Sequence, residues 1–164
     1  METLDDGVPL ARQLLTVALL FNLKTGQGGR TADAEAEYDS IETVHAIRSE
    51  LEKAGLTVEL IEADRMLPER LRASRADIAF NIAEGLSGRG REAQIPALLG
   101  MLGMPFTGSD ETALAVALDK AMCKKLASAY RVRTPRFRAV GPGEKARGPR
   151  SEERRVGKEC RSRW

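Results

Sequence analysis

The run Leu14 to Phe21, LLTVALLF, decides how the rest of the chain must be read. It is almost continuously apolar yet too short for a buried helix, so it fits a strand covered on both faces, as in a parallel sheet. A polar, glycine-containing loop, Asn22 to Glu37, leaves it. A helix then starts at Asp39, with Glu42 three residues on as its capping partner. Ile41, Val44, Ile47, Leu51 and Ala54 recur at spacings of three and four, and Gly55 closes the helix. TVELIEA (Thr57 to Ala63) reads as a second strand, MLPERLRA (Met66 to Ala73) as a short helix and ADIAFNIA (Ala76 to Ala83) as a third strand. Strand, helix, strand, helix, strand with short connections specifies an α/β fold with a doubly wound parallel sheet, whose crossovers are right-handed.

In such folds ligands bind beyond the carboxyl ends of the strands. Function is therefore expected in the loops after Phe21, Ile61 and Ile82. The last of these, AEGLSGRGREAQ (Ala83 to Gln94), carries three glycines and five charged or amide side chains, Glu84, Arg89, Arg91, Glu92 and Gln94. It opens a helix running to Leu102, and free amides at a helix N-terminus attract anions. MPFTG (Met104 to Gly108) reads as a fourth short strand. Asp110 then caps an alanine-rich helix that carries Asp119 and Lys120, and an amphipathic segment continues to Tyr130 before the Thr134-Pro135 break.

With 164 residues the chain accommodates one domain with a real core. Its 26 Lys and Arg against 24 Asp and Glu leave +2, too little to argue for nucleic acid or an anionic membrane as partner. Cys123 and Cys160 show neither metal nor disulfide spacing, which fits a reducing cytoplasm. The acidic METLDDGVPLARQ has no signal-peptide character, and LLTVALLF is far short of the roughly 20 residues of a membrane span. The last fifteen residues, RSEERRVGKECRSRW from Arg150 to Trp164, resemble the in-frame translation of a sequencing-library adapter. They are excluded from the fold and charge arguments on that ground.

Other candidate motifs are weaker. TGQGGR (Thr25 to Arg30) misses the dinucleotide spacing, because its last glycine would fall on Thr31. His45 stands on a helix without ligand partners. Glu35, Glu37 and Asp39 precede a helix N-terminus that favours carboxylates for electrostatic reasons alone. Glu37 could equally hold a substrate ammonium, and the residues leave both roles open.

From Asp77 onward, DIAFNIAEGLSGRGREAQIPALLGMLGMPFTGSDETALAVALDKAMCKKLASAYRVRTPRF resembles the D-alanine-D-alanine ligase branch of the ATP-grasp enzymes. AEYDSIETVHAI followed by a strand fits the same pattern upstream. The resemblance covers about Leu14 to Val140, and PFTGS, the Asp119-Lys120 pair and the Thr-Pro are its most specific pieces. It implies a Rossmann-like, pre-ATP-grasp domain over residues 14–109, after a tail of residues 1–13, and the start of a truncated ATP-grasp domain over residues 110–149. It also implies an ATP- and magnesium-dependent joining of two amino acids through an acyl phosphate, in a cytoplasmic enzyme of peptidoglycan synthesis that commonly forms homodimers. In its terms Glu37 is the acid on the first substrate's ammonium, with Glu35 as the alternative. Glu84, Arg89 and Gln94 line the substrate pocket, and Lys120 reaches the ATP phosphates. The magnesium ligands and catalytic arginine of the family lie beyond Pro149, so the fragment by itself is expected to be inactive.

Two departures stand out. Where such ligases commonly show His-Gly and Gly-Glu-Asp-Gly, this chain has Glu84-Gly85 and Gly88-Arg89-Gly90-Arg91. A ligase for another dipeptide or amide is the alternative these suggest, and a non-catalytic amino-acid-binding module is a second.

Overall fold

The computed structural model describes residues 14–24 and 37–140. Three parallel strands form one sheet in the order β2-β1-β3: β1 (Thr16–Phe21), β2 (Thr57–Glu62) and β3 (Ile78–Asn81). The central position of β1 explains its composition. Ala18, Leu19 and Leu20 are wholly buried because both faces of the strand are covered.

The two faces have separate cores. On one, Leu19 and Phe21 meet Val44 and Ile47 of α1 (Ile41–Lys53). On the other, Ala18, Leu20, Ile61 and Ala79 pack with Leu67 and Leu71 of α2 (Leu67–Ala73) and with Ile95 and Leu99 of α3 (Gln94–Met101). Helices on both faces of a parallel sheet make the doubly wound arrangement expected from the alternation of elements. Among the described residues no helix is long and apolar enough to cross a membrane.

The helix ends follow local chemistry. The cap of α1 is Ser40, not Asp39: the Ser40 hydroxyl accepts from the Thr43 amide at 3.3 Å. Asp39 is instead held in extended pairing beside Asn22 to Lys24, its amide donating to the Asn22 carbonyl at 2.9 Å. Ser40→Ala should therefore lower stability by about 1 kcal/mol, measured by urea unfolding, whereas Asp39→Asn should leave the cap intact. Glu42 in the first turn has its carboxyl held below the usual range, chiefly by the Ser40 side chain. At the other end Gly55 takes φ +85°, and the amides of Gly55 and Leu56 close on the carbonyls of Glu52 and Leu51 at 2.9 and 3.2 Å.

Two further expectations need correction. MPFTG does not form a regular fourth strand. Its backbone makes a single bridge to β3, between Phe106 and Ala79, whose amide donates to Pro105 and whose carbonyl accepts from Thr107. The next ladder bond, from the Asn81 amide, goes to the Thr107 side-chain hydroxyl at 3.2 Å, and Gly108 at φ +102° turns the chain away. The alanine-rich helix is also not continuous through Asp119-Lys120. It divides into α4 (Glu111–Leu118), capped by Asp110 as expected, and α5 (Lys120–Ala129). Asp119, with ψ 92°, breaks the first and caps the second.

Candidate functional site

The carboxyl ends of the three strands meet at one buried side chain. Asn22, the residue after β1, is 4% exposed. Its Nδ2 donates to the Ala63 carbonyl at 2.8 Å, and its Oδ1 accepts from the amides of Glu84 and Gly85 at 2.8 and 3.1 Å. A single amide thus ties the loops after β2 and β3 to the end of β1. A polar side chain inside an apolar core is tolerated when its donor and acceptor are both used, as here.

The loop after β3 then folds tightly over this point. Gly85 sits at φ +78°, and a Cβ there would lie 2.0 Å from the Arg91 carbonyl oxygen. Only glycine lets the chain double back so closely. The return of the first loop is fastened to the same place, because the Tyr38 hydroxyl donates to the Gly85 carbonyl at 3.2 Å.

These constraints bring a charged cluster together. The Arg91 guanidinium forms a close ion pair with Glu37 and lies 3.6 Å from Glu92 and 3.9 Å from Glu84. Carboxylate oxygens of Glu37, Glu84 and Glu92 all lie within 4.8 Å of one another. Three carboxylates against one guanidinium leave an excess of negative charge in a partly buried corner. Burial first, and then the charges of Glu92 and Asp39, push the Glu84 carboxyl above its ordinary range.

That shift has a sign in stability. Native Glu84 keeps its proton to higher pH than the unfolded chain does, so its contribution is fully present below the ordinary glutamate range. It is lost as pH rises through the raised folded value. Glu84→Gln should therefore raise the melting temperature at pH 7 relative to the parent chain, and the gain should vanish near pH 4. Paired thermal melts at the two pH values check this.

The expected site residues divide into two groups. Glu37 and Glu84 meet in the cluster. Arg89 turns away from it and pairs closely with Asp119, its Nε donating to Oδ2 at 3.0 Å. Gln94 braces its own loop, accepting from the Leu86 amide at 3.1 Å and donating to the Ser87 carbonyl at 2.8 Å. Lys120 is exposed at the start of α5, its Nζ 3.3 Å from the Ala117 carbonyl. His45 is exposed on α1. Glu35, TGQGGR, the N-terminal tail and RSEERRVGKECRSRW lie outside the described residues.

From the sequence, Glu92 is expected only as a member of the loop and Arg91 as part of the departure Gly88-Arg89-Gly90-Arg91, while Asn22 and Tyr38 carry no expectation at all. An asparagine directly after a strand buried on both faces was the available signal for Asn22. Nothing in the spacing could have shown that Arg91, rather than Arg89, would face Glu37.

No protein-family model matches the chain. Curated D-alanine-D-alanine ligases do match it. That of Anaeromyxobacter sp. (strain Fw109-5) is 36% identical over 120 residues, which is 73% of this chain and 37% of the relative. That of Pelotomaculum thermopropionicum is 37% identical over 120 residues, 72% of this chain and 36% of the relative. The chain therefore spans under two fifths of the length of these curated relatives. Among solved structures, the D-alanine-D-alanine ligase from Bacillus anthracis superposes with a TM-score of 0.59 at 18% identity, covering 81% of this chain and 40% of that one. The same enzyme complexed with ATP gives 0.56 at 19% identity, covering 75% and 37%. At these identities the structural likeness establishes the fold.

Proposed function

Since the chain belongs to the D-alanine-D-alanine ligase family, we propose that it supplies the substrate-side α/β portion of an ATP-dependent carboxylate-amine ligase. Residues 14–109 are that portion, and residues 110–149 begin the ATP-binding portion. The whole protein would join two amino acids: ATP phosphorylates the carboxylate of the first, and the amine of the second displaces phosphate. The observation that carries this reading is the position of Glu37, brought back to the carboxyl ends of β1 and β3 beside Glu84 and Arg91.

In that position Glu37 and Glu84 suit a substrate ammonium, while Arg91 suits a carboxylate and keeps the carboxylates from repelling one another. Arg89 and Gln94 would shape the pocket by fixing the loop. Lys120 would hold phosphate oxygens of ATP as a mobile cation. The Glu37-Glu84-Glu92 cluster does not suit magnesium, because a guanidinium already lies among the three carboxylates. Magnesium would be held by other parts of the whole protein. Cytoplasmic location and homodimer formation belong to the same proposal.

The glutamate at position 84 and the arginine at position 91 favour a second reading of the substrate. A ligase for a dipeptide other than D-alanyl-D-alanine would use this more charged pocket. Steady-state kinetics on the product of the whole gene separate the assigned roles. Glu37→Gln should raise KM for the first amino acid by roughly tenfold, as expected for loss of a charge-assisted contact. Lys120→Ala should instead act on ATP. Equal effects of both variants on both substrates would refute the assignments.

A further inference from the structure

Arg89 extends from the substrate-side loop to the start of α5. It stands between Gly88, at φ +95°, and Gly90, so the backbone around it is free to present it outward. Its guanidinium is bound twice to a single oxygen, Oδ2 of Asp119. The other carboxylate oxygen, Oδ1, accepts from the amides of Ala121 and Met122, both at 3.0 Å, and so caps α5. Asp119 thus divides its two oxygens between two elements.

The location of this residue gives the division a consequence. Asp119 is the point at which the helix register breaks between α4 and α5, and Lys120 is the first residue of α5. The Asp119 side chain is only 15% exposed, whereas Arg89 is 75% exposed. The aspartate is therefore held by its surroundings and the arginine is the adjustable partner. Arg89 also lies five residues after Glu84 and two before Arg91, in the loop that forms the charged cluster. A displacement of that loop must either break the pair or pull on the cap of α5.

We propose that Arg89 is a positioning residue that couples the amino-acid side of the site to the helix carrying Lys120. The proposal rests on the reading of Lys120 as a phosphate-binding residue, and it adds the path by which the two halves of the site are kept in register. An arginine suits this task better than a lysine, since its fork can keep two bonds to one carboxylate while the loop shifts. The hydrogen bond from Arg89 is also the main reason the Asp119 carboxyl lies below its usual range.

Residue-resolved amide hydrogen exchange on the 164-residue chain tests the coupling. Arg89→Ala should speed exchange roughly fivefold in the first turns of α5 and in the loop 84–91 together, leaving α1 unchanged. Arg89→Lys should restore only part of the protection, because a single ammonium cannot keep both bonds. In an Asp119→Ser background, which keeps a capping oxygen but removes the charge, Arg89→Ala should have no further effect. Unchanged exchange in α5 on Arg89→Ala, or an equal effect in both backgrounds, would overturn the proposal. The functional reading fails separately. If Lys120→Ala in the product of the whole gene leaves KM for ATP unmoved, the phosphate role falls, while the coupling is still judged on exchange alone.

Discussion

Gly85→Ala should destabilise the chain by about 4 kcal/mol, the sum of a non-glycine residue forced to positive φ and an overpacked contact, each of about 1 to 3 kcal/mol. The added methyl would lie 2.0 Å from the Arg91 carbonyl oxygen and 2.6 Å from its carbon. Backbone atoms cannot rotate aside as a flexible side chain can. The loop would have to open, separating Arg91 from Glu37 and Glu84. Gly88→Ala provides the control, because Gly88 also has positive φ but nothing lies within 4 Å of its added Cβ. It should show the backbone component alone, about 1 kcal/mol. Chemical denaturation of the two variants side by side checks the difference.

Asn22→Leu should be nearly as damaging, at about 3 kcal/mol, because it leaves the Ala63 carbonyl and the Glu84 and Gly85 amides without their partner. The side chains have similar size, so the loss reports hydrogen bonding more than volume. Asn22→Asp keeps an acceptor for the two amides while giving up the donor to Ala63. It adds a buried charge, which should give it a marked pH dependence that Asn22→Leu lacks. Denaturation at pH 5 and pH 8 distinguishes the two variants.

Much of the fold was legible because it depends on one-dimensional patterns. The nearly continuous apolar run of β1 suited a parallel strand covered on both faces, and the spacing of Val44 and Ile47 marked the helix over one face. Where the pattern misled, a side chain had replaced the backbone as hydrogen-bonding partner. The Thr107 hydroxyl ended the fourth strand after a single bridge, and Asp119 divided a stretch whose alanine-rich composition favoured one helix. Ser40 outcompeted Asp39 as cap because Asp39 was already committed to the end of β1. The site was less legible. Glu37 and Glu84 were each expected in loops at strand carboxyl ends, but their meeting follows from the order β2-β1-β3, which the alternation of elements does not specify. The directions of Arg89 and Arg91 depend on glycine torsions two residues apart, which a sequence pattern does not specify.

Amino-acid-dependent ADP release by the product of the whole gene, assayed across D- and L-amino acids with ATP and magnesium, tests the central claim most directly. The ligase reading predicts release stimulated by particular amino acids, accompanied by dipeptide or amide product and reduced by Glu37→Gln and Lys120→Ala. ATP turnover that no amino acid stimulates, together with amino-acid binding at the Glu84 to Arg91 loop, would contradict it and identify a binding module.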